Sequence, residues 1–208
     1  RPNSQFLAAA NPFEFGTLTL YVGRSSYNLN QVSITHHFVE LAGEQPGIYY
    51  GYYFLELADY FGQEGTDEKE SMNLLYVTVK ALLNPHIEDR LVRCIFELRM
   101  MAAQGLCPSL FHCVCCERQP VEGEEIFFSQ QNHGILDKHC LGQVNDAKRI
   151  SAPALYAMQY IVTTSLGKLY TFTVTEEVLY ELERHIHTYV ASNTEKRFKS
   201  LEILEIMS

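Results

Sequence analysis

A cluster of cysteines in the middle of the chain is the feature that most limits what this sequence can fold into. Four of the six cysteines fall within residues 107–116, and no secretory segment is recognisable in the sequence. Disulfides are typical of secreted proteins, whereas clustered thiols in a reducing compartment more often bind metal or take part in thiol chemistry. The cysteines therefore predict a cytoplasmic protein with a thiol or metal site.

The spacing of these cysteines is close to that of a structural zinc site. Cys113 and Cys116 form a C-x-x-C pair, whose two thiolates can bind one tetrahedral zinc ion. After a gap of twenty residues, Asp137 and Cys140 repeat the spacing, with a carboxylate in place of the first cysteine of a second pair. Because carboxylate oxygen also ligates zinc, the predicted cofactor is zinc, held by Cys113, Cys116, Asp137 and Cys140.

Other interpretations of the cysteine region remain open. His139 could replace Asp137 as the fourth ligand, although adjacent residues seldom reach one metal without distortion of the backbone, and His133 is a further candidate. Alternatively, the site has degenerated and the thiols are free. Cys94 and Cys107 lie on or just past an apolar helix and are predicted to be small core residues.

Composition and charge exclude several classes of protein. The chain is 47% apolar and 20% charged, which is ordinary for a globular chain. The longest apolar run is Ile48 to Leu55, far short of the 20 or so residues that span a bilayer, so no membrane association is predicted. The net charge of −9 does not support long-range attraction to nucleic acid, so any such site must be a local patch. No catalytic motif is present, and no enzyme is predicted.

The hydrophobic pattern predicts an α+β chain. Alternating residues at 13–22 and 29–38 predict a β-hairpin, and the period becomes helical from Pro46 onward. An isolated hairpin is at best marginally stable, so we expect either more strands upstream of Arg1 or packing of the hairpin on the helices. Helix starts are predicted near Gly47, Asp67, Asn84, Ser151 and Thr175.

The sequence resembles the RecO family of bacterial DNA-repair proteins. The resemblance is most specific at FELRMMAAQGLCPSLFHCVCC, residues 96–116, followed by FFS, HG and a tetrad that ends in Cys140. It continues upstream in NPFEFGTLTLYVGRSSYNLNQVSITHHF and YYFLELADYF, and downstream in FKSLEIL. It covers nearly the whole chain.

The resemblance implies a fold and a function. Residues 1–42 would be the C-terminal part of an OB-fold whose first strands are missing here, and residues 43–208 a helical domain. Residues 107–140 would form a Cys-rich, zinc-ribbon-like insert. RecO proteins are not enzymes: they bind single- and double-stranded DNA, anneal complementary strands, join RecR, and help to load RecA onto DNA coated by single-strand-binding protein.

Local cations are the candidates for DNA contact, because an OB-fold holds phosphates with cations and stacks bases on exposed aromatics. Any one of these residues could equally be a solvated surface charge. The candidates are Arg1, Arg24, Lys148, Arg149, Lys196, Arg197 and Lys199.

A second interpretation is a protein-interaction module with little DNA binding of its own. It would have an apolar pocket between the helical domain and the C-terminal segment, rimmed by cations, that accepts the acidic, Phe-ended tail of single-strand-binding protein, or RecR. Alternatively, these cations pair with neighbouring carboxylates, as Arg93 could with Asp89 or Glu97. The rim would draw on Arg90, Arg93, Arg99, Arg197 and Lys199.

Overall fold

The computed structural model describes residues 11–43 and 46–207, and its architecture confirms the predicted α+β class. A hairpin is followed by helices, a small sheet and more helices. The strands are β1 (Glu14–Val22), β2 (Tyr27–His37), β3 (Ile126–Ser129), β4 (Gly134–Asp137) and β5 (Lys148–Ile150). The helices are α1 (Gly47–Phe61), α2 (Lys69–Leu82), α3 (Asp89–Ala103), α4 (Ala152–Thr163), α5 (Glu176–Asn193) and α6 (Lys199–Met207). Short 3₁₀ turns span Val39–Gly43, Lys138–Gln143 and Leu166–Lys168.

The hairpin packs on the helices at its base and leaves its far end exposed. Strands β1 and β2 are antiparallel, with Glu14 opposite His37 at the base and Val22 opposite Tyr27 at the tip. The ring of Phe15 lies 5.5 Å from that of Tyr76 on α2, measured between centroids. Packing on the helices was one of the two alternatives that the sequence left open.

A close contact with α1 fixes the base of the hairpin. Phe13 is buried just before β1 and packs on Gly51. A Cβ at Gly51 would lie 2.8 Å from the Phe13 ring and 3.0 Å from Leu41, which is closer than real side chains approach. The glycine therefore lets the hairpin and the helical core share one set of buried side chains.

The helical core is centred on α1 and α3. Phe54 and Phe96 are fully buried, and their ring centroids lie 4.5 Å apart. Leu91, Ile95 and Leu98 lie at helical spacing on one face of α3, and all three are buried. Among the described residues, no helix has both the length and the apolar character needed to cross a membrane.

Two helices begin at places that differ from the prediction. Helix α2 begins at Lys69, and Asp67 lies before it, where its side chain accepts a hydrogen bond from the backbone N–H of Lys69 at 3.0 Å. Helix α3 begins at Asp89, because Asn84 closes a turn of its own by accepting the N–H of His86 at 3.1 Å. Side-chain bonds to nearby backbone compete with the helix at such residues.

The Cys-rich insert is built on a three-stranded antiparallel sheet in the order β4–β3–β5. Ile126 lies opposite Asp137 on β4 and opposite Ile150 on β5. The sheet therefore extends to Ile150, ten residues beyond the predicted end of the insert at residue 140. Segment 107–110 joins it through a bridge between Ser109 and Gly134.

Candidate metal centre

A tight turn before the sheet presents Cys113 and Cys116. The backbone N–H of Cys113 donates to the carbonyl of Arg118 at 2.9 Å, and the N–H of Glu117 donates to the carbonyl of Cys113 at 2.8 Å. Glu117 closes the turn in the left-handed region, with φ of 60°. Val114 donates its N–H to Ile135 of β4 at 2.9 Å, which holds the turn against the strand that ends at Asp137.

A glycine makes this approach possible. A Cβ at Gly134 would lie 2.6 Å from the carbonyl oxygen of Ser109 and 2.7 Å from the side chain of Val114. Any larger residue would push the cysteine turn away from β4. Gly134, the glycine of the HG pair noted in the sequence, therefore lets the cysteine turn pack closely on β4.

The four predicted ligands come together. One ligand atom each from Cys113, Cys116, Asp137 and Cys140 lies within 4.8 Å of all the others. Zinc–sulfur bonds of about 2.3 Å place tetrahedral sulfurs about 3.8 Å apart, so the atoms need to move by about 1 Å at most to close on an ion. Cys116 is exposed, and the other three side chains are buried. The set could hold a metal ion.

Neither alternative histidine joins this group within the described part of the chain. His133 turns away, and its Nδ1 lies 3.3 Å from the hydroxyl of Tyr189 on α5. His139 is exposed on the 3₁₀ turn that follows β4. Of the three candidates for the fourth position, Asp137 is the one that the structure places beside the cysteines.

The carboxylate of Asp137 is oriented by the turn that it begins. Its Oδ1 accepts the backbone N–H groups of His139 at 2.8 Å and Cys140 at 3.1 Å. Its Oδ2 faces the thiols, accepting from Cys116 Sγ at 3.1 Å and from Arg118 Nε at 3.2 Å. The bond from Cys116, with help from Arg118, lowers the pKa of Asp137 to about 2 despite burial.

The three thiols differ in how easily they ionise. Burial opposes ionisation of Cys113, but hydrogen bonds from the backbone N–H groups of Asp137, Cys116 and Cys115 outweigh it and lower its pKa. Burial and bonds to the neighbouring thiols raise the pKa of Cys140. For Cys116, a hydrogen bond from the backbone N–H of Arg118 favours the thiolate. The Cys116 thiol, however, donates its own proton to Asp137, and the pKa of Cys116 is raised overall.

The donor set indicates a structural centre. If all four bound one ion, three thiolates and a carboxylate would complete a tetrahedral ligand set, whereas a catalytic zinc site keeps a position for water. The small apolar cluster around the site contains buried Cys113, Leu136 and Cys140. An ion there would cross-link the cysteine turn to the end of β4.

Comparison with known proteins identifies the family of this chain. A family model described as "Recombination protein O C terminal" matches residues 47–202, which include all of the helical body except the last helix's end, and the whole cysteine region. The chain belongs to the RecO family. The resemblance seen in the sequence is confirmed.

Curated RecO proteins align with nearly the whole sequence. The DNA repair protein RecO of Symbiobacterium thermophilum is 27% identical over 208 residues, which is all of this chain and 82% of that protein. That of Alkaliphilus metalliredigens is 26% identical over 98% of this chain and 82% of its own length. That of Clostridium perfringens is 27% identical over all of this chain and 90% of its own length.

In this RecO-family chain the candidate DNA-contacting cations lie at three separate places. Arg24 is exposed at the tip of the hairpin, and Arg1 lies outside the described residues. Lys148 and Arg149 are exposed on β5, where Arg149 lies 3.5 Å from Glu125. The remaining candidates lie on the segment before and at the start of α6: Lys196, Arg197 and Lys199.

Of the cations predicted to rim a pocket, Arg93 and Arg197 line a cavity in this RecO-family chain, whereas Arg90, Arg99 and Lys199 do not. A cavity of about 420 Å³ lies between the helices and the C-terminal segment, and Arg93 and Arg197 both line it. Arg93 donates to Glu97 at 2.8 Å, which is one of the two partners suggested from the sequence. Arg90 pairs with Glu176 and Glu183, and Arg99 donates to the carbonyl of Val162 at 2.6 Å.

Sequence reasoning missed Arg118 beside the metal ligands of this RecO-family chain. The Arg118 guanidinium joins Asp137 to Glu124, with an N···O distance of 2.9 Å to the latter. Its position two residues after Cys116 was the available signal. Cys107 was also misplaced, because it is exposed rather than in the core, whereas Cys94 is fully buried as predicted.

Proposed function

We propose that this chain is a recombination mediator. It binds single- and double-stranded DNA, anneals complementary strands and, together with RecR, helps to load RecA onto DNA coated by single-strand-binding protein. It does so without breaking bonds. The family match across residues 47–202 supports this proposal, since its relatives are named DNA repair proteins.

The hairpin supplies the DNA contact in this proposal. Tyr21 is 70% exposed and Tyr27 59% exposed on the two strands beside the tip that carries Arg24. Aromatic faces next to a cation suit single-stranded DNA, because bases stack on the rings while the cation neutralises phosphate. Contact with few phosphates also agrees with a net charge of −9, which gives no broad attraction.

Fluorescence anisotropy with a labelled single strand tests the DNA contact. We expect weak binding with a shallow salt dependence, since the slope of log K against log salt is about −0.7 for each phosphate contacted. Replacing both Tyr21 and Tyr27 with alanine should weaken it by about 2 kcal/mol or more. Tyr180→Ala is the matched control, because Tyr180 is equally exposed on α5. Tight, salt-insensitive binding would contradict the proposal.

The chain also has a surface suited to a protein partner. We propose that the cavity beside the C-terminal segment receives the acidic tail of single-strand-binding protein, with the tail's aromatic end against Phe198 and Leu201. No ion pair of Arg197 or Lys199 is found among the described residues, so both are available to the tail. Arg197 lines the cavity itself, whereas Lys199 lies outside its lining, and Glu195, Glu202 and Glu205 also line it. An acidic tail would therefore meet an acidic rim beside Arg197.

Titration with a synthetic copy of that tail tests the partner. Arg197→Glu and Lys199→Glu should each weaken peptide binding, and Lys69→Glu, an exposed lysine at the start of α2, should not. If no binding occurs at high micromolar peptide, or if all three variants bind equally, the proposal that the cavity binds this tail is wrong. RecR would then be the expected protein partner. RecR binding is measured separately by sedimentation of the two proteins together.

We propose zinc as the ion at the cysteine cluster. Thiolate and carboxylate ligands at tetrahedral positions suit Zn²⁺, and its role is to hold the insert in shape. Elemental analysis of the purified protein should find about one zinc per chain. Far less zinc, together with freely titratable thiols, would support the degenerate site instead.

A further inference from the structure

Cys116 is the accessible thiol of the candidate metal centre. Its side chain is exposed, whereas Cys113 and Cys140 are buried. Cys107 and Cys115 are exposed too, but neither belongs to the group of ligand atoms found in the described part of the chain. A small solute that diffuses through water therefore reaches the sulfur of Cys116 before the other sulfurs of the centre.

The sulfur of Cys116 also has a partner sulfur close to it. The four ligand atoms of the centre, that of Cys113 included, lie within 4.8 Å of one another. Cys113 and Cys116 share one turn, which the N–H of Glu117 closes by donating to the carbonyl of Cys113 at 2.8 Å. The sulfurs of a disulfide lie about 2.05 Å apart. A bond between these two closes a short loop within one turn, whereas Cys140 lies on the separate 3₁₀ turn after β4.

A bound zinc ion would keep Cys116 in its reactive form. Thiols bind a metal as thiolates, and the thiolate is also the form that attacks an oxidant. Zinc has no redox chemistry of its own, so oxidation of the centre falls on the sulfurs. Oxidation of Cys113 and Cys116 leaves Asp137 and Cys140, which are two ligands where a structural zinc site needs four.

We propose that the cysteine cluster is a reversible, peroxide-sensitive switch, in which oxidation joins Cys113 to Cys116 and releases the ion. The inference rests on the proposed zinc centre and adds a regulation to it. Its consequence is local, because the apolar cluster of the insert is small. Residues 107–150 loosen when the ion leaves and tighten when the disulfide is reduced and zinc returns. The helices of the main core stay packed throughout.

Hydrogen peroxide is the oxidant in this proposal. The Cys116 thiolate attacks one peroxide oxygen, the O–O bond breaks, hydroxide leaves, and a sulfenic acid forms on Cys116. The Cys113 thiolate then attacks the sulfur of Cys116, the S–O bond breaks, and a second hydroxide leaves as the S–S bond forms. Two thiolates thus lose two electrons to the peroxide, and water protonates the hydroxides at neutral pH. Zinc leaves as Zn²⁺.

Peroxide treatment of the zinc-loaded full chain tests the switch. A chromophoric chelator follows the release of zinc, and mass spectrometry of the alkylated, digested protein locates the disulfide. We expect about one zinc per chain to leave as the Cys113–Cys116 disulfide forms. Dithiothreitol followed by zinc should restore the bound ion, because a disulfide can be reduced whereas a sulfinic acid cannot. Amide exchange across residues 107–150 should quicken and slow in step, with exchange in α3 unchanged.

Two substitutions identify the sulfur that reacts. Cys116→His keeps a ligand for zinc and removes the accessible thiolate, so peroxide should release zinc from it at least about tenfold more slowly. Cys115→Ser is the matched control, because Cys115 is an exposed neighbour that is not among the grouped ligands. It should release zinc at the rate of the unmodified chain. Equal rates for both variants would overturn the proposal. If Cys116→His binds no zinc, disulfide mapping in the unmodified chain decides the question.

Failure of the switch and failure of the zinc centre give different results. A purified chain that holds no zinc by elemental analysis contradicts the zinc centre, and the release step is then wrong too. A chain that holds zinc and keeps it under peroxide, with no disulfide formed, contradicts the switch alone. A disulfide between Cys116 and Cys140 would contradict the assigned pair.

Discussion

At the scale of single residues, the substitution of a carboxylate for a thiol defines the candidate metal centre. Asp137 uses its two carboxylate oxygens for different contacts, which the single sulfur of a cysteine could not do. Its Oδ1 accepts two backbone N–H groups, and its Oδ2 faces Cys116 and Arg118. The pattern D-x-x-C predicted this ligand from the sequence. The Arg118 contact could not be predicted, because it depends on how the turn after Cys116 folds back.

Replacing the carboxylate tests its role as a ligand. Asp137→Ala should lower zinc affinity by at least about tenfold, because it removes one ligand and the bond that orients Cys116. Competition with a chromophoric chelator measures the affinity. Glu125→Ala is the control, since Glu125 is charged and in the same insert but is not among the grouped ligands. Equal affinities for Asp137→Ala and the parent would exclude Asp137 from the centre.

A second carboxylate, Glu56 of α1, connects to the start of α6. It accepts the backbone N–H of Ser200 at 3.0 Å and the Ser200 hydroxyl at 2.5 Å, and Lys196 lies 3.3 Å away. Burial opposes ionisation, but these bonds outweigh it and lower the pKa of Glu56 to about 2. Since the folded-state pKa is depressed, the stabilisation is present above the unfolded value near 4.5 and is lost as pH falls toward 2.

We therefore expect Glu56→Gln to lower the free energy of unfolding by about 1 kcal/mol at neutral pH, a figure reduced for solvent screening. The difference from the parent should shrink as the pH is lowered below about 4.5. Urea unfolding of both proteins across pH 3 to 7 measures this. A difference that stays constant over that range would show that the charge of Glu56 is not involved.

At the scale of elements, the sequence predicted regular segments well and their boundaries less well. The hairpin, α1 and the Ser151 start of α4 follow from alternation, helical period and a Ser-x-Pro cap, and Ser151 does accept the N–H of Ala154 at 3.3 Å. Helix α4 ends at Thr163, because Thr164 adopts extended angles. Strand β5 was missed because Lys148–Ile150 is too short to show a period.

The insert should depend on its ion more than the helices do. Its own apolar cluster is small, so Cys116→Ala or removal of metal by a chelator should loosen residues 107–150. Amide exchange should quicken there while α1 and α3, which lie in the main core, stay protected. Equal protection of the insert with and without chelator would show that it is held without metal.

The docking of the hairpin should depend on Gly51. Gly51→Val places side-chain atoms against Phe13 and Leu41, which should lower the free energy of unfolding by about 2 kcal/mol through overcrowding. Gly167→Val is the control, because nothing lies within 4 Å of a Cβ there. Thermal or urea unfolding compares the two. An equal effect of both substitutions would mean that the hairpin is not held by this contact.

At the scale of the whole molecule, a net charge of −9 limits where this RecO-family chain could contact DNA as proposed. The described candidate cations are spread over the hairpin tip, β5 and the C-terminal segment, and two of them, Arg149 and Lys196, have carboxylate partners. The net charge predicted that any attraction of nucleic acid would come from a local patch of the surface and not from the protein as a whole. The sequence could not predict which cations remain unpaired and able to contact DNA. Ion pairs such as Arg90 with Glu183 join residues that are far apart in the chain.

We propose that this chain is a mediator that acts on protein-coated DNA. The most direct measurement is the rate at which complementary single strands, each coated with single-strand-binding protein, anneal in its presence. We expect the chain to accelerate annealing and added salt to reduce this acceleration. Replacing both Tyr21 and Tyr27 with alanine should also reduce the acceleration, whereas Tyr180→Ala should not. No acceleration at any salt concentration by the folded protein would contradict the proposal.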